Sequence, residues 1–457
     1  MKLASQKSIN QKIPEPIKKA MQLLNENNFA AYLVGGSVRD LLLQKTPSDY
    51  DIATEAKPEQ TKDVFKNFSV IPTGVRYGTV TVIIEDQKIE ITTYRIEADY
   101  NDYRRPSQVQ YTDQIKEDLA RRDFTINALA YHPEDGLLDF FGGQSDLENK
   151  LIRAVGKPIE RFEEDPLRIL RTLRFAARLN FSVEKETAKA MFICKHLLLK
   201  ISKERIQQEF IKIITATNIK KILLMYRDIF AIIVPAIAQT FDFEQHHPYH
   251  IFDVYTHTVE VVTKVPTQLD LRLAAFYHDI AKPGTFSLDE NGVGHFYGHP
   301  KLSAEIAKQS LRELKFDKKT IKQVTLLVEH HDIPIWPEKK LIKKRLARFG
   351  EETFFKLITL QKADVLGQAK TVRAERLAFL NQIEELAKTI LKEKPSLDLK
   401  DLKIDGYDAL ALGLSGPQIG RALNQCLTAI IDEEIKNERE ILLDYLNKIS
   451  AQILKEI

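Results

Sequence analysis

The chain has only two cysteines in 457 residues, Cys194 and Cys426, and no apolar run that approaches a membrane span. The cysteines lie far apart and match no paired ligand spacing, which argues against a disulfide framework or a thiolate zinc site and fits a reducing cytoplasm. The most apolar stretch, FAIIVPAIA from Phe230, carries Pro235 in its middle and falls far below the roughly 18 residues a bilayer requires, so no membrane partner is expected. MKLASQKSINQ has no apolar segment behind its lysine, so no secretory leader is expected. Glycine and proline are scarce, 18 of each, which rules out collagen-like and low-complexity chains. Charge of one sign is also lacking: the net +3 identifies no nucleic-acid partner, and local charge must decide. What remains is an ordinary globular composition, 44% hydrophobic and 29% charged, long enough for two to four domains.

Short β-branched runs, AYLVGG, TVTVIIED, KIEITTYR and LLDFFGG, alternate with helical patterns over residues 1–150 and predict an α/β unit with a mixed sheet. From Glu163 onward the helical pattern is almost continuous, so the remainder is expected to be all-α. It divides into a helical segment over 151–240, a histidine-bearing domain over 241–370 and a helical tail over 371–457. His246, His247 and His250 read as an interdomain loop, and KKLIKKRLAR reads first as a solvated helix face.

Chemistry concentrates first in AYLVGGSVRDLLLQKTPSDYDIAT. A strand ends at Gly35 and Gly36, whose small size lets backbone approach a phosphate at the start of the next helix, near Arg39. A second strand is expected to carry Asp49 and Asp51. Two residues apart on a strand, both carboxylates leave the same face and can hold one or two Mg²⁺ ions against a triphosphate. Glu90, in the later I-E-I, offers a third oxygen ligand. In RRDFTINALAY, Arg122, Asp123 and Asn127 open a helix-like segment where guanidinium and amide groups can hold the ribose and triphosphate of a nucleotide.

A helix expected from Glu164 has two faces. Arg168, Arg171, Arg174 and Arg178 share one arc, and Ile169, Leu170, Leu173, Ala176 and Ala177 share another. Asp165 and Arg168, three apart, read as neighbours on that helix. A carboxylate acceptor beside a guanidinium donor matches the exocyclic amine and unprotonated ring nitrogen of cytosine or adenine. Uracil and guanine present the reverse pattern, at a cost of a few kcal/mol.

These segments resemble the polymerase-β-type nucleotidyltransferase signature. With YRIEADYNDYRRP, KEDLARRDFTINALAY, LLDFFGGQSDL and EEDPLRILRTLRFAARL in order, residues 20–210 resemble the class II tRNA nucleotidyltransferases, the CCA-adding enzymes and their bacterial poly(A) polymerase relatives. The resemblance implies a polymerase-β-like head followed by neck, further helical domains and tail. It implies ribose selection by the RRD motif and template-free base selection by Glu164-Asp165 with Arg168. It also implies a flexible loop that Arg95 and Glu97 open and Arg104 and Arg105 close, with Tyr103 in place of a smaller residue. Ser202, Arg205 and Glu209 resemble a last supporting motif, and Gly413 to Gly420 resembles a C-terminal G-x-x-G-x-x-[IL]-G element.

A second constellation follows: His257, His278-Asp279, His299, His331-Asp332 and Asp364. Imidazole and carboxylate together suit Zn, Mn, Fe, Ni or Mg and favour a hydrolytic divalent site. The order resembles the HD phosphohydrolase superfamily. That resemblance assigns His257, His278, Asp279 and Asp364 to one metal and extends His299 and His331 toward a second. Spacing leaves His330 as an alternative to His331, and Lys282 is a candidate phosphate contact. In tRNA nucleotidyltransferases with such a fused domain, this half carries phosphatase and cyclic phosphodiesterase activity.

The leading expectation is therefore addition of C and A from CTP and ATP to the tRNA 3′ end, with a tail whose KKLIKKRLAR and GYDALALGLSGPQIGRAL segments grip the tRNA elbow. Poly(A) synthesis, and an HD phosphohydrolase whose N-terminal half only binds RNA, are the alternatives.

Overall fold

The computed structural model describes residues 3–72, 74, 77–100, 106–393 and 395–456, with the side chains of 97–100, 106–109 and 456 excepted. Arg104, Arg105, Tyr103 and the Glu97 side chain thus lie outside the described residues. The chain forms two compact units, Met1–Pro235 and Ala236–Ile457. No described helix is long and apolar enough to cross a membrane, and both cysteines are buried and free.

The first unit is built on β1 (Ala31–Val34), β2 (Asp51–Thr54), β3 (Ser69–Ile71), β4 (Thr79–Ile84), β5 (Gln87–Thr93), β6 (Arg95–Tyr100), β7 (Pro106–Tyr111), β8 (Ala130–His132) and β9 (Gly136–Leu138). Seven of these form one sheet in the order β3-β4-β5-β2-β1-β8-β9, and β6 pairs with β7 as a separate ribbon. The sheet is mixed as expected: β2 runs parallel to β5, and the other neighbours are antiparallel. Strand β2 is central, so Ile52, Ala53 and Thr54 are all buried. The β4–β5 hairpin turns on Glu85 and Asp86, both with positive φ, the hand that matches strand twist. Of LLDFFGG only Leu137 and Leu138 are strand, at the end of β9. Asp139 then accepts the backbone N–H groups of Phe141, Gly143 and Gln144, a carboxylate cap on the following helix.

The helix Leu167–Leu179 buries Ile169, Leu170, Leu173, Ala176 and Ala177, the arc its wheel predicts, and ends at Asn180 in the left-handed region. It begins at Leu167 and not at Glu164, because Pro166 denies the preceding residue helical geometry and Asp165 is extended. The remainder is mostly helical but not wholly so. Leu151–Ile152 pairs in parallel with Ser182–Val183, and in the second unit Phe286–Leu288 pairs with Gly294–Phe296. A Cβ at Gly294 would lie 2.2 Å from the Gln245 carbonyl oxygen, so backbone packs where a side chain has no room.

In the second unit the helices Val254–Lys264, Leu269–Tyr277, His299–Glu313, Lys318–Glu329 and Glu351–Gly367 bring the histidine-bearing segments together. The C-terminal helices Pro417–Ile431 and Arg439–Ile453 close over a separate apolar cluster that includes Leu402, Ala422, Cys426 and Leu446.

Candidate functional site

Sheet register sets the first site. Asp51, the first residue of β2, faces Val34 on one side and Glu90 on the other. Val34 leads directly into Gly35 (φ +73°), a backbone conformation that favours glycine, and a Cβ there would stand 2.6 Å from an Arg122 guanidinium nitrogen and push that group aside. Asp49 lies just before the strand and not within it. The alternation still holds, because Tyr50 and Ile52 are buried while Asp49 and Asp51 line one cavity of about 680 Å³. Gly35, Gly36, Arg39, Arg122, Asp123, Asn127, Asp165, Arg168, Arg171 and Arg174 line the same cavity. Glu90 does not line it, although its charge is felt at Asp51.

Burial first, then Glu90 and Asp49, push the Asp51 carboxyl up to about 6 against the opposing charge of Arg122. A carboxylate held up in this way is one that a cation would stabilise.

The polar wall is a network. Arg39 donates to Asp40 (2.8 Å) and to the Asn127 amide oxygen (2.7 Å), and Asn127 Nδ2 donates to Asp123 (3.0 Å). Arg171 holds the other Asp123 oxygen through Nε at 2.8 Å. Burial works against the Asp123 charge, but Arg171 and Asn127 outweigh it and hold the carboxyl near about 2. Asn127 sits in the short 3₁₀ turn Thr125–Asn127 and not at a helix start. Eight arginines face five aspartates around the cavity, a field suited to a polyphosphate.

Asp165 and Arg168 share the cavity, and the Arg168 N–H donates to the Asp165 carbonyl oxygen (2.9 Å), but their side chains take different partners. Asp165 accepts from the Leu167 N–H (3.1 Å) and from Arg205 (2.8 Å). Arg168 donates to Glu164 (2.7 Å) and to the Arg161 and Arg121 carbonyl oxygens, both at 3.1 Å. Glu209 accepts from Arg174 at 2.9 Å, so Arg205 and Glu209 brace the wall from the Lys203–Ile214 helix.

Two contributors escaped the sequence reading. Asp118 is buried and holds Arg121 (2.9 Å) and Arg122 (3.3 Å); the i, i+3 and i, i+4 spacing in KEDLARRD carried that signal. Phe175 lies beneath three guanidinium groups, those of Arg39, Arg171 and Arg174, at 4.4–5.8 Å from its ring centre.

The second unit brings together all six expected ligands. His257, His278, Asp279 and Asp364 form one group with ligand atoms within 4.8 Å of one another, and Asp279, His299 and His331 form another. His278, His299 and His331 each place Nδ1 2.8 Å from the carbonyl oxygen three residues earlier, on Ala275, Phe296 and Val328. A carbonyl only accepts, so each Nδ1 carries the proton and each Nε2 turns toward the acids. His257 Nε2 lies 2.8 Å from Asp364, His278 Nε2 3.2 Å and His299 Nε2 3.2 Å from Asp279. Lone pairs facing lone pairs fit interposed cations. In their place, protons must serve: burial opposes charge on His278, but Asp279 and Asp364 push its imidazole up to about 10. Asp279 and Asp364 are held well below the usual carboxylate range despite burial, by His278 and Lys282 and by His257 and His278 respectively.

Of the two adjacent histidines, His331 enters the cluster; His330 packs on Phe349 with ring centres 4.9 Å apart. Lys282 is buried between Asp279 (2.7 Å) and Gln245 (2.8 Å), so its ammonium is paired with the Asp279 carboxylate. His247 and His250 are not interdomain: they line the same cavity as the ligands. Gln368, missed in the sequence, donates to Asp364 at 2.8 Å. Lys339, Lys340, Lys343 and Lys344 of the basic segment pair at the surface with Glu393, Asp432, Glu433 and Asp432.

Family comparison matches residues 31–153 to the poly A polymerase head domain, 180–241 to the probable RNA and SrmB-binding site of polymerase A, and 295–446 to a putative tRNA nucleotidyltransferase domain 2. A CCA-adding enzyme of Enterococcus faecalis is 33% identical over 448 residues, 95% of this chain and 97% of its own length. One from Pediococcus pentosaceus is 34% identical over 437 residues, 95% and 98% respectively. The fold is similar to that of the Bacillus stearothermophilus CCA-adding enzyme in complex with CTP, with 23% identity and a TM-score of 0.74 over 97% of this chain and 100% of that one.

Proposed function

Because the chain belongs to the family of CCA-adding enzymes, we propose that it extends the tRNA 3′ end with C and A from CTP and ATP, without a template, in the Asp49–Asp51 cavity. The observation that carries this reading is that cavity: two carboxylates, a glycine turn and a wall of arginines in one space. Asp49 and Asp51 would hold Mg²⁺, which when bound supplies positive charge to the attacking 3′-oxygen and to the triphosphate. Arg122, whose Nε is buried without a hydrogen-bond partner among the described residues, and Arg39 would face the phosphates at Gly35 and Gly36. Asn127, fixed between Arg39 and Asp123, presents its amide toward the ribose.

Arg205 orients the Asp165 carboxylate, and the Arg161 and Arg121 carbonyls orient Arg168. One then accepts from the amine of cytosine or adenine while the other donates to the ring nitrogen. The test is purified protein with tRNA ending at the discriminator base, Mg²⁺ and each labelled nucleoside triphosphate. Addition of C, C and A is the expected result. A long A tail would instead establish the poly(A) polymerase alternative, and no incorporation would overturn nucleotidyl transfer.

The opposed lone pairs of the histidine cluster favour a second activity in the same chain, that of an HD phosphohydrolase acting on phosphoesters such as 2′,3′-cyclic phosphates. His257, His278, Asp279 and Asp364 would hold one divalent ion, and Asp279, His299 and His331 a second. Such ions supply Lewis acidity to a phosphoryl oxygen. Gln368 and Lys282 keep the two carboxylates oriented. Hydrolysis of adenosine 2′,3′-cyclic phosphate with Mn²⁺, Ni²⁺ or Mg²⁺, lost in His278→Ala, is the expected result. Unchanged hydrolysis in that variant would remove His278 from the site.

A further inference from the structure

The cavity that holds Asp279, His299, His331 and Asp364 extends beyond these ligands to about 890 Å³, within the range of small-molecule sites, and another of its walls is aromatic. Trp336, the one tryptophan of the chain, stands on that wall. Its ring meets the Phe379 ring edge-on, with centres 5.7 Å apart at 87°, yet 58% of its surface stays accessible. An indole braced on one side and open on the other is a stacking surface. A cation stands in the same cavity: Arg376 lies over the Tyr249 ring at 5.1 Å and donates to Gln368 Oε1 at 2.5 Å. The amide of that same Gln368 holds Asp364. One side chain thus ties the guanidinium to a ligand carboxylate. Planar apolar surface, fixed positive charge and phosphoester chemistry in one cavity describe a ligand with a flat ring at one end and a phosphate at the other.

We infer that Trp336, braced by Phe379, is the base-stacking platform of the histidine site, so that this site takes nucleotides and prefers them to base-free phosphodiesters. The inference rests on the phosphohydrolase reading of the cluster. Stacking uses the π-face that every base has, so the platform tolerates all four bases. Arg376 sets the phosphate end against the carboxylates. The nucleotide is either free or the last residue of an RNA chain, and both present the same ring and phosphate.

Because the chain has a single tryptophan, its fluorescence reports this wall alone. The full-length protein is titrated with adenosine 2′,3′-cyclic phosphate, with a short RNA ending in a 2′,3′-cyclic phosphate, and with glycerol 1,2-cyclic phosphate. Saturable quenching by the first two and none by the third is expected; tighter quenching by the RNA assigns the ligand to an RNA end, and equal affinity assigns it to the free nucleotide. In Trp336→Ala the preference in kcat/KM for the adenosine ester over the glycerol ester should fall roughly 10- to 100-fold, mostly through KM, and Trp336→Phe should restore it to within about threefold. Quenching without hydrolysis of either ester sinks the phosphohydrolase reading and leaves the platform standing. No quenching by either nucleotide, or an unchanged preference in Trp336→Ala, overturns the platform.

Discussion

His299 Nε2 and His331 Nε2 stand 3.4 Å apart, and each ring has already committed its Nδ1 proton to a backbone carbonyl. With both rings neutral, neither nitrogen has a proton to give the other, so the contact calls for positive charge between the rings and Asp279, from a proton or from a cation. Divalent ions should therefore raise Tm, by about 2.7 kcal/mol of stability at a hundredfold excess over Kd, and a chelator should reverse the gain. Elemental analysis should find the metal content reduced by about one ion per chain in His299→Ala. A Tm indifferent to both metal and chelator would contradict a metal role for these rings.

Asp51 gives the nucleotidyltransferase site a pH signature. Its carboxyl is pushed up to about 6 by burial, Glu90 and Asp49, so it becomes protonated as pH falls through that value. Incorporation of CTP should decline below pH about 6. Higher Mg²⁺ should move the midpoint lower, because the cation competes with the proton for the same oxygen. A midpoint that ignores Mg²⁺ would show that another group controls the decline.

Gly35→Ala places a methyl group 2.6 Å from the Arg122 guanidinium at a backbone φ of +73°. The strain should cost about 1–2 kcal/mol in stability. Displacing Arg122 should also lower kcat/KM for both CTP and ATP about 10-fold or more, as loss of a charged phosphate contact does. Wild-type kinetics in Gly35→Ala would show that Arg122 has no part in holding the triphosphate.

Asp165→Asn keeps the shape of the side chain but adds a donor where only acceptors stood. Discrimination against UTP and GTP should fall roughly 10- to 100-fold while incorporation of CTP persists. Arg205→Ala should move selectivity in the same direction, because Arg205 fixes the Asp165 carboxylate at 2.8 Å. Selectivity unchanged in both variants would remove this pair from base recognition.

The mixed sheet, the Gly35–Gly36 turn and the arginine face of Leu167–Leu179 were legible because each depends on local periodicity or on residues close in the chain. The histidine–aspartate cluster was legible from its residue types together with their order, which resembles that of the HD phosphohydrolases. What sequence could not give was partnership across distance. The Asp165 carboxylate meets Arg205, forty positions on, a contact that no local spacing reveals. The choice of His331 over His330 turns on which ring faces inward at the end of Lys318–Glu329. Glu90 reads as a ligand from its strand, and the register that sets it beside Asp51, where its charge helps to push that carboxyl up, is a partnership between distant strands. The acidic partners of the KKLIKKRLAR lysines, up to 92 residues away, are likewise contacts that no local spacing reveals.

The most direct measurement runs two assays on two variants of the full chain, with folding checked by circular dichroism. Asp49→Ala should lose CTP and ATP incorporation into tRNA by roughly 10²- to 10³-fold or more while keeping hydrolysis of adenosine 2′,3′-cyclic phosphate, and His278→Ala should show the reverse. Folded Asp49→Ala protein that still adds nucleotides at the wild-type rate would contradict the assignment of nucleotidyl transfer to the carboxylate pair at β2.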